Sequence, residues 1–297
     1  MRAVIDIGSN SVLLLVGERG PDGSLTFVRD EATVARLSEG AAARGSLAPE
    51  AIERTLAVLR RYRELADADG VEGIEAVATE GLRMASNQGD FLEPAAAILG
   101  APVRLISGDE EARLSYRSVA LELGPDEHAG PLRVVDIGGG STELVVGRGL
   151  DVEGAVSHSL GSVRWSERFG DGHPPSPAAL AAMEAAARER LASQPVEPHP
   201  ILVGLAGTVT TVGALSLGLR RYERERVDGL RLPIARVRGL RDELATWPLE
   251  RLQAEPILGK GRADVVVAGA TILTVVLEHC GAQTLVVRDR GLRYALL

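Results

Sequence analysis

Two stretches of this chain repeat one pattern. MRAVIDIGSNSVLLLVG opens it and LRVVDIGGGSTELVVG follows about 130 residues later, each an apolar run, Asp-Ile-Gly, small polar residues and a second apolar run. A Gly-rich turn between two strands leaves backbone N–H groups unscreened by side chains, and such groups pointing one way form a nest for an anion. Two nests suit a chain of phosphates. Asp6 and Asp136 end the strands just before the turns, so their carboxylates stand beside any phosphate held there. Carboxylates alone would repel it. A divalent cation resolves the conflict, and Mg²⁺ prefers one or two carboxylates completed by waters and phosphate oxygens. A plain hairpin explains one such copy; two copies with matching flanks point to a shared ligand. Glu110 and Glu111, after ISGD, open a predicted helix. Capping that helix accounts for one of them, and the other could deprotonate a water aimed at a terminal phosphorus.

These groups need rigid elements behind them. Residues 2–7 and 11–17 read as strands around a tight turn at Gly8 to Asn10, because Gly and Asn tolerate positive φ. A third strand is expected at SLTFVRD. The next segment, SLAPEAIERTLAVLRRYRELADADG, reads as a long amphipathic helix with Ser46 as cap and Leu56, Leu59 and Leu65 near one face. Strand EAVAT, a short helix from Glu80, strand APVRLIS and helix GDEEARLSYRSVALELG follow. GPDEHAG at 124–130 is the expected boundary, giving domains of 1–124 and 125–297, with the extreme C-terminus packing back on the first. The order then restarts with strand, GGGS turn and strand, a strand at AVSHSLG and an Ala-rich helix at 177–192. PHPILVGLAGTVTTVGALSLG predicts a strand, a small-residue turn and a helix, and the chain closes with helix, strand and the start of a helix. The Pro-rich stretches 170–178 and 193–200 are expected loops. Two similar α/β halves imply a cleft between them.

At 297 residues, two domains are more comfortable than one core. A hydrophobic fraction of 45% suits a globular protein, and 3% aromatics leaves the core to Leu, Val, Ile and Ala. A net charge of −8 argues against broad nucleic-acid binding, yet local arginines and N–H groups can still hold phosphate because distant charges are screened. All but Lys260 of the 33 basic residues are arginine. No apolar run reaches the length of a membrane span and no signal peptide precedes the first strand, so a cytoplasmic protein is expected. The single cysteine, Cys280, reads as a buried helix residue. His158 reads as a structural strand residue, while His128, His173, His199 and His279 have no partner at zinc spacing. Neither GxxxxGK[ST] nor a Rossmann GxGxxG occurs.

DIGSNS, ATEGLR, ISGDEEARL, DIGGGSTEL, SLGSVR, LAGTVTTV, GRADVVVAGATIL and RDRGLRYALL occur, in that order, as in the exopolyphosphatase and guanosine pentaphosphate phosphohydrolase family. That family is a branch of the actin-like, sugar kinase and heat-shock-protein ATPase superfamily, and this chain resembles its short, two-domain class throughout. The resemblance implies an α/β fold of two ribonuclease-H-like domains with the active site in a cleft between them, and Mg²⁺-dependent (or Mn²⁺-dependent) removal of terminal phosphate from inorganic polyphosphate. It makes Glu111 the general base and places Glu143 with Asp6 and Asp136 around the metal and attacking water. Gly8, Ser9, Asn10 and Ser11 of the first turn, and Gly138, Gly139, Gly140 and Ser141 of the second, would bind phosphates, as would Arg83. Gly207 and Thr208 match a loop that faces a nucleoside in the wider superfamily. Guanosine pentaphosphate or tetraphosphate is a further implied partner, and a homodimer the implied assembly. One departure stands out: the family's closing motif reads GLRxG with an acid after Arg, whereas Tyr294 and Ala295 follow Arg293 here.

Two other functions compete. An ATP-dependent kinase of the same superfamily would need an intact nucleoside pocket and an acceptor site. A non-hydrolytic sensor of guanosine tetra- or pentaphosphate would lack the acid at Glu111, which this chain retains.

Overall fold

A computed structural model describes residues 1–21, 23–123 and 130–297. The chain divides into two compact units, Met1–Leu114 with Leu292–Leu297, and Ser115–Gly291. The boundary expected at 124–125 and His128 lie outside the described residues.

The first unit contains β1 (Arg2–Ile7), β2 (Ser11–Arg19), β3 (Leu25–Val34), α1 (Ala41–Arg44), α2 (Pro49–Ala68), β4 (Ile74–Ala78), α3 (Glu80–Arg83), α4 (Gly89–Leu99) and β5 (Val103–Leu105). Helix α5 (Gly108–Ala120) starts in this unit and ends in the second. The five-stranded sheet runs β3-β2-β1-β4-β5, with β2 antiparallel to its neighbours and β4 and β5 parallel to β1. The period of two decides what β1 presents: Ala3, Ile5 and Ile7 join the core, so Asp6 points from the opposite face. That core is closed by Leu56, Leu59 and Tyr62 of α2 and Phe91 and Leu99 of α4. Leu65 only flanks it, and the α2 cap falls at Ala48, two residues later than Ser46, with Pro49 at the first helical position.

The second unit holds β6 (Pro131–Ile137), β7 (Thr142–Arg148), β8 (Asp151–His158), α6 (Ser162–Phe169), α7 (Pro177–Ala192), β9 (Ile201–Leu205) and α8 (Ala206–Ser216). Then come α9 (Arg224–Val227), β10 (Arg231–Pro233), α10 (Ile234–Leu244), α11 (Leu249–Ala254), α12 (Gly259–Arg262), α13 (Val266–His279) and β11 (Thr284–Val287). The sheet order is β10-β11-β9-β6-β7-β8. Apart from the added β10, this is the arrangement of the first sheet, with an antiparallel three-stranded meander followed by two parallel strands. It is the ribonuclease-H-like order twice over. Every residue from Val266 to Leu277 is buried, as expected of a helix apolar all round. Helix α6 and the segment containing α9 to α12 have no counterpart among the elements expected from sequence. The small-residue turn expected after β9 is absent: β9 passes directly into α8, with Ala206 at φ 67° making the corner.

The final helix, α14 (Arg293–Leu296), belongs to the first unit. Arg293 Nη2 donates to Asp30 Oδ1 at 2.7 Å, the Tyr294 hydroxyl donates to Asp30 Oδ2, and the Tyr294 ring meets Phe27 edge-on. Tyr294 is therefore a buried anchor for the C-terminus. Tyr294→Phe removes one donor from a partly buried carboxylate and should cost about 1 kcal/mol, read from urea unfolding.

Candidate active site

The two Asp-Ile-Gly turns are built alike. In the first, the Gly8 N–H donates to the Ser11 carbonyl at 2.9 Å; in the second, the Gly138 N–H donates to the Ser141 carbonyl at 3.0 Å. The direction of the other peptide groups matters more. The Gly138 and Gly139 carbonyls accept from the N–H groups of Ser162, Val163 and Arg164 at the start of α6, and the Gly140 carbonyl accepts from Arg164 Nε. In a planar trans peptide, N–H and C=O point opposite ways, so the N–H groups of Gly139, Gly140 and Ser141 are turned away from α6. The first unit repeats this with a different support. Ser9 and Asn10 carbonyls accept from Ala35, Arg36 and Ser38 N–H groups, which turns the Asn10 and Ser11 N–H groups the other way. Each turn thus has successive carbonyls tied off and the following N–H groups facing away from that support. Ser9, Asn10 and Ser141 are buried.

Close approach sets the second nest. Gly161, before α6, has its Cα against the Gly139 carbonyl and the Gly140 carbonyl carbon, and any Cβ there would overlap them. Gly81 is packed similarly against the hydroxyls of Ser9 and Ser38.

Asp136 on β6 is the direct cross-strand partner of Glu143 on β7, and Glu143 of Ser157 on β8. The three share one sheet face, opposite the core residues Val135, Ile137 and Leu144. Asp136 is 9% exposed and Glu143 1%. Like charges directly opposite on a sheet oppose each other, and both lie where water cannot screen them. Each has a serine donor: Ser115 Oγ gives its proton to Asp136 Oδ2 at 2.6 Å, and Ser157 Oγ to Glu143 Oε1 at 2.7 Å. Burial raises the Asp136 pKa, and the Ser115 hydrogen bond works against that rise. A hard divalent cation fits such a donor set. Among the described residues no group of three or more His, Cys, Asp or Glu is placed to hold a metal ion, and two carboxylates are what a phosphate-bridged Mg²⁺ uses. The repeat is asymmetric here: Asp6, buried in the first unit, faces Leu13 on β2 where Asp136 faces Glu143.

The first unit holds a second cluster. Ser107 caps α5, its hydroxyl accepting from the Glu110 N–H at 3.1 Å. The two neighbouring acids then separate. Glu110 lies outside and pairs with Arg104, whereas Glu111 is buried, with Oε2 3.1 Å from Arg83 Nη1. Arg83 Nη2 also donates to Glu80 Oε2 at 2.9 Å, and Nη1 to the Ile106 carbonyl at 2.6 Å. Arg83 therefore orients Glu111 before any substrate arrives.

Gly207 and Thr208 form the first turn of α8. The Arg262 guanidinium lies directly against the Gly207 Cα, and the Thr208 side chain against Gly269 of α13. Arg262 is crowded enough that desolvation lowers its pKa against the pull of Tyr222 and Asp289. Cys280 is buried in the core, its thiol pushed up to about 11 by burial, and so is poorly nucleophilic. Burial lowers the pKa of His158, and the rings of His199 and His279 hydrogen-bond to backbone carbonyls.

A profile of the Ppx/GppA phosphatase family matches residues 17–297. This chain belongs to the Ppx/GppA phosphatase family. A curated member, exopolyphosphatase 2 of Mycobacterium tuberculosis, is 36% identical over 283 residues, covering 91% of this chain and 88% of the relative. The crystal structure of the Aquifex aeolicus Ppx/GppA family member is 34% identical, covers 99% of this chain and 95% of that one, and gives a TM-score of 0.82. That of an exopolyphosphatase-like protein is 30% identical with a TM-score of 0.92, covering 99% and 96%. As a Ppx/GppA member with this architecture, the chain has the two-domain actin-like ATPase fold. Among the described residues no helix is long and apolar enough to cross a membrane.

Within this Ppx/GppA chain, sequence reading assigned no role to four residues that the geometry brings to the sites: Glu80, Ser115, Ser157 and Gly161. Glu80 and Gly161 lie inside the quoted motifs ATEGLR and SLGSVR. Ser115 carries the one spacing signal, four residues after Glu111 on a helix.

Proposed function

We propose that this chain is an exopolyphosphatase, hydrolysing the terminal phosphoanhydride bond of inorganic polyphosphate with a divalent cation. The observation that carries the reading is the pair of equivalent nests, whose tied-off carbonyls commit successive N–H groups to an anion. Asp136 and Glu143, paired across β6 and β7, would hold the cation, which neutralises phosphate charge when bound. Glu111, held by Arg83, accepts the proton of the attacking water. The oxygen of that water bonds to the terminal phosphorus, the bridging P–O bond breaks, and the shortened chain leaves with the electron pair. The N–H groups of the two turns bind the phosphate oxygens, with Arg83 contributing charge beside the base. Positioning and charge neutralisation account for most of the catalysis phosphoryl transfer needs.

The packing of Arg262 on Gly207 supports a linear polyphosphate over a nucleotide, because a nucleoside at the α8 turn would have to displace that guanidinium. Guanosine pentaphosphate is accordingly the weaker of two substrates in this reading. Mg²⁺ or Mn²⁺ as the cation and a homodimer, both resting on the family resemblance, complete it, with a cytoplasmic location as the expected setting. The test is phosphate release with Mg²⁺ from short polyphosphate, long polyphosphate, guanosine pentaphosphate and ATP. Release from polyphosphate, abolished by EDTA, is the expected result. Release from none of the four, with tight binding of a guanosine polyphosphate, would replace the hydrolase with a sensor.

A further inference from the structure

We propose that Ser115 is a positioning residue for the metal site, committing one oxygen of Asp136 to the protein so that the other is presented to the cation. The inference rests on the reading of Asp136 as a metal ligand. Ser115 is completely buried in α5. A buried hydroxyl in a helix ordinarily bonds back to the carbonyl four residues earlier. Thr55, Thr271 and Thr274 do this, donating to Ala51, Val267 and Ala270. Ser115 instead sends its hydroxyl across to Asp136 Oδ2, 21 residues away in sequence, at 2.6 Å, the short distance of a hydrogen bond to a charged oxygen.

The serine is itself held. One turn on, Ser118 Oγ lies 2.8 Å from the Ser115 carbonyl and 2.9 Å from that of Arg290, pinning this part of α5 to the segment after β11. Asp136 has its backbone fixed between β7 and β9, so its remaining freedom is rotation of the carboxylate. A donor on Oδ2 removes that rotation and leaves Oδ1 the oxygen available to a cation. Donors behind the ligands of this kind tune metal affinity by about 10- to 100-fold.

The experiment follows Mn²⁺ binding to the substrate-free protein by the loss of its free-ion electron paramagnetic resonance signal. It compares wild type, Ser115→Ala, Ser115→Thr and Asp136→Asn, each checked for folding by circular dichroism. Alanine suits a helix interior, so Ser115→Ala should fold and bind Mn²⁺ about 10- to 100-fold more weakly, with Ser115→Thr restoring most of the affinity. Wild-type affinity in Ser115→Ala would overturn the proposal. Equal loss in the Ala and Thr variants would also overturn it, assigning Ser115 to packing alone. Identical Mn²⁺ behaviour in wild type and Asp136→Asn would remove Asp136 from the metal site, which is failure of the underlying reading and is distinguishable from the other two results.

Discussion

Glu111→Gln should lower kcat for polyphosphate hydrolysis at least about 100-fold while leaving KM within a few-fold of wild type. A general base contributes mainly in the transition state, by about 10²- to 10⁴-fold, so its loss falls on kcat. Glutamine is nearly isosteric and its carbonyl can still accept from Arg83 Nη1, now 3.1 Å from Glu111 Oε2. It cannot take a proton from water at neutral pH. The Arg83 position is also backed by Glu80 and the Ile106 carbonyl, so the substitution should leave the site's architecture in place. The check is steady-state phosphate release at saturating short polyphosphate, with thermal unfolding as control. Unchanged kcat would remove Glu111 from proton transfer and turn attention to Glu143.

Gly161→Ala should be nearly as damaging, through a different cause. The new methyl group would meet the Gly139 carbonyl and the backbone of Gly140. Neither can yield without turning the peptide groups whose N–H vectors form the second nest. Losing one preorganised N–H donor to a developing negative charge costs about 10²- to 10³-fold in kcat. Overpacking adds a stability loss of about 1–3 kcal/mol. The expected result is a folded protein with lowered thermal stability, kcat/KM reduced at least about 100-fold, and weaker product-phosphate binding by calorimetry. Full activity in this variant would show that the nest is not used. Gly130, whose added Cβ would meet nothing within 4 Å, is the matched control: Gly130→Ala should leave activity unchanged.

Local features were largely legible in the residues. The Asp-Ile-Gly hairpins fall where alternation puts them, because a period of two is a short-range property, but neither Gly8 nor Asn10 takes the positive φ expected of the first turn. Helix α7 runs over 177–192 as expected, with Pro177 in its first turn and the Ser176 hydroxyl accepting from the Ala179 N–H at 3.1 Å. Errors arose where tertiary packing overrode local preference. Ser46 had cap chemistry but no role as one, and LAGTV reads as a turn although Ala206 accepts a left-handed conformation to bring β9 straight into α8.

The sequence by itself determined the repeated α/β halves, the two Asp-Ile-Gly turns, the acids before them and, through ordered motifs, the family. Only the tertiary structure decided how those groups are used. Glu110 and Glu111 are adjacent and chemically equal, yet helix phase sends one to Arg104 and solvent and the other to Arg83 and burial. Asp136 and Glu143 become a carboxylate pair because β6 and β7 align them, while the same register in the first unit sets Asp6 against Leu13. Ser115, Ser157 and Gly161 matter only through the partners that distant strands and helices bring to them. Strand register and helix packing are products of the whole core, so no local window of residues contains them.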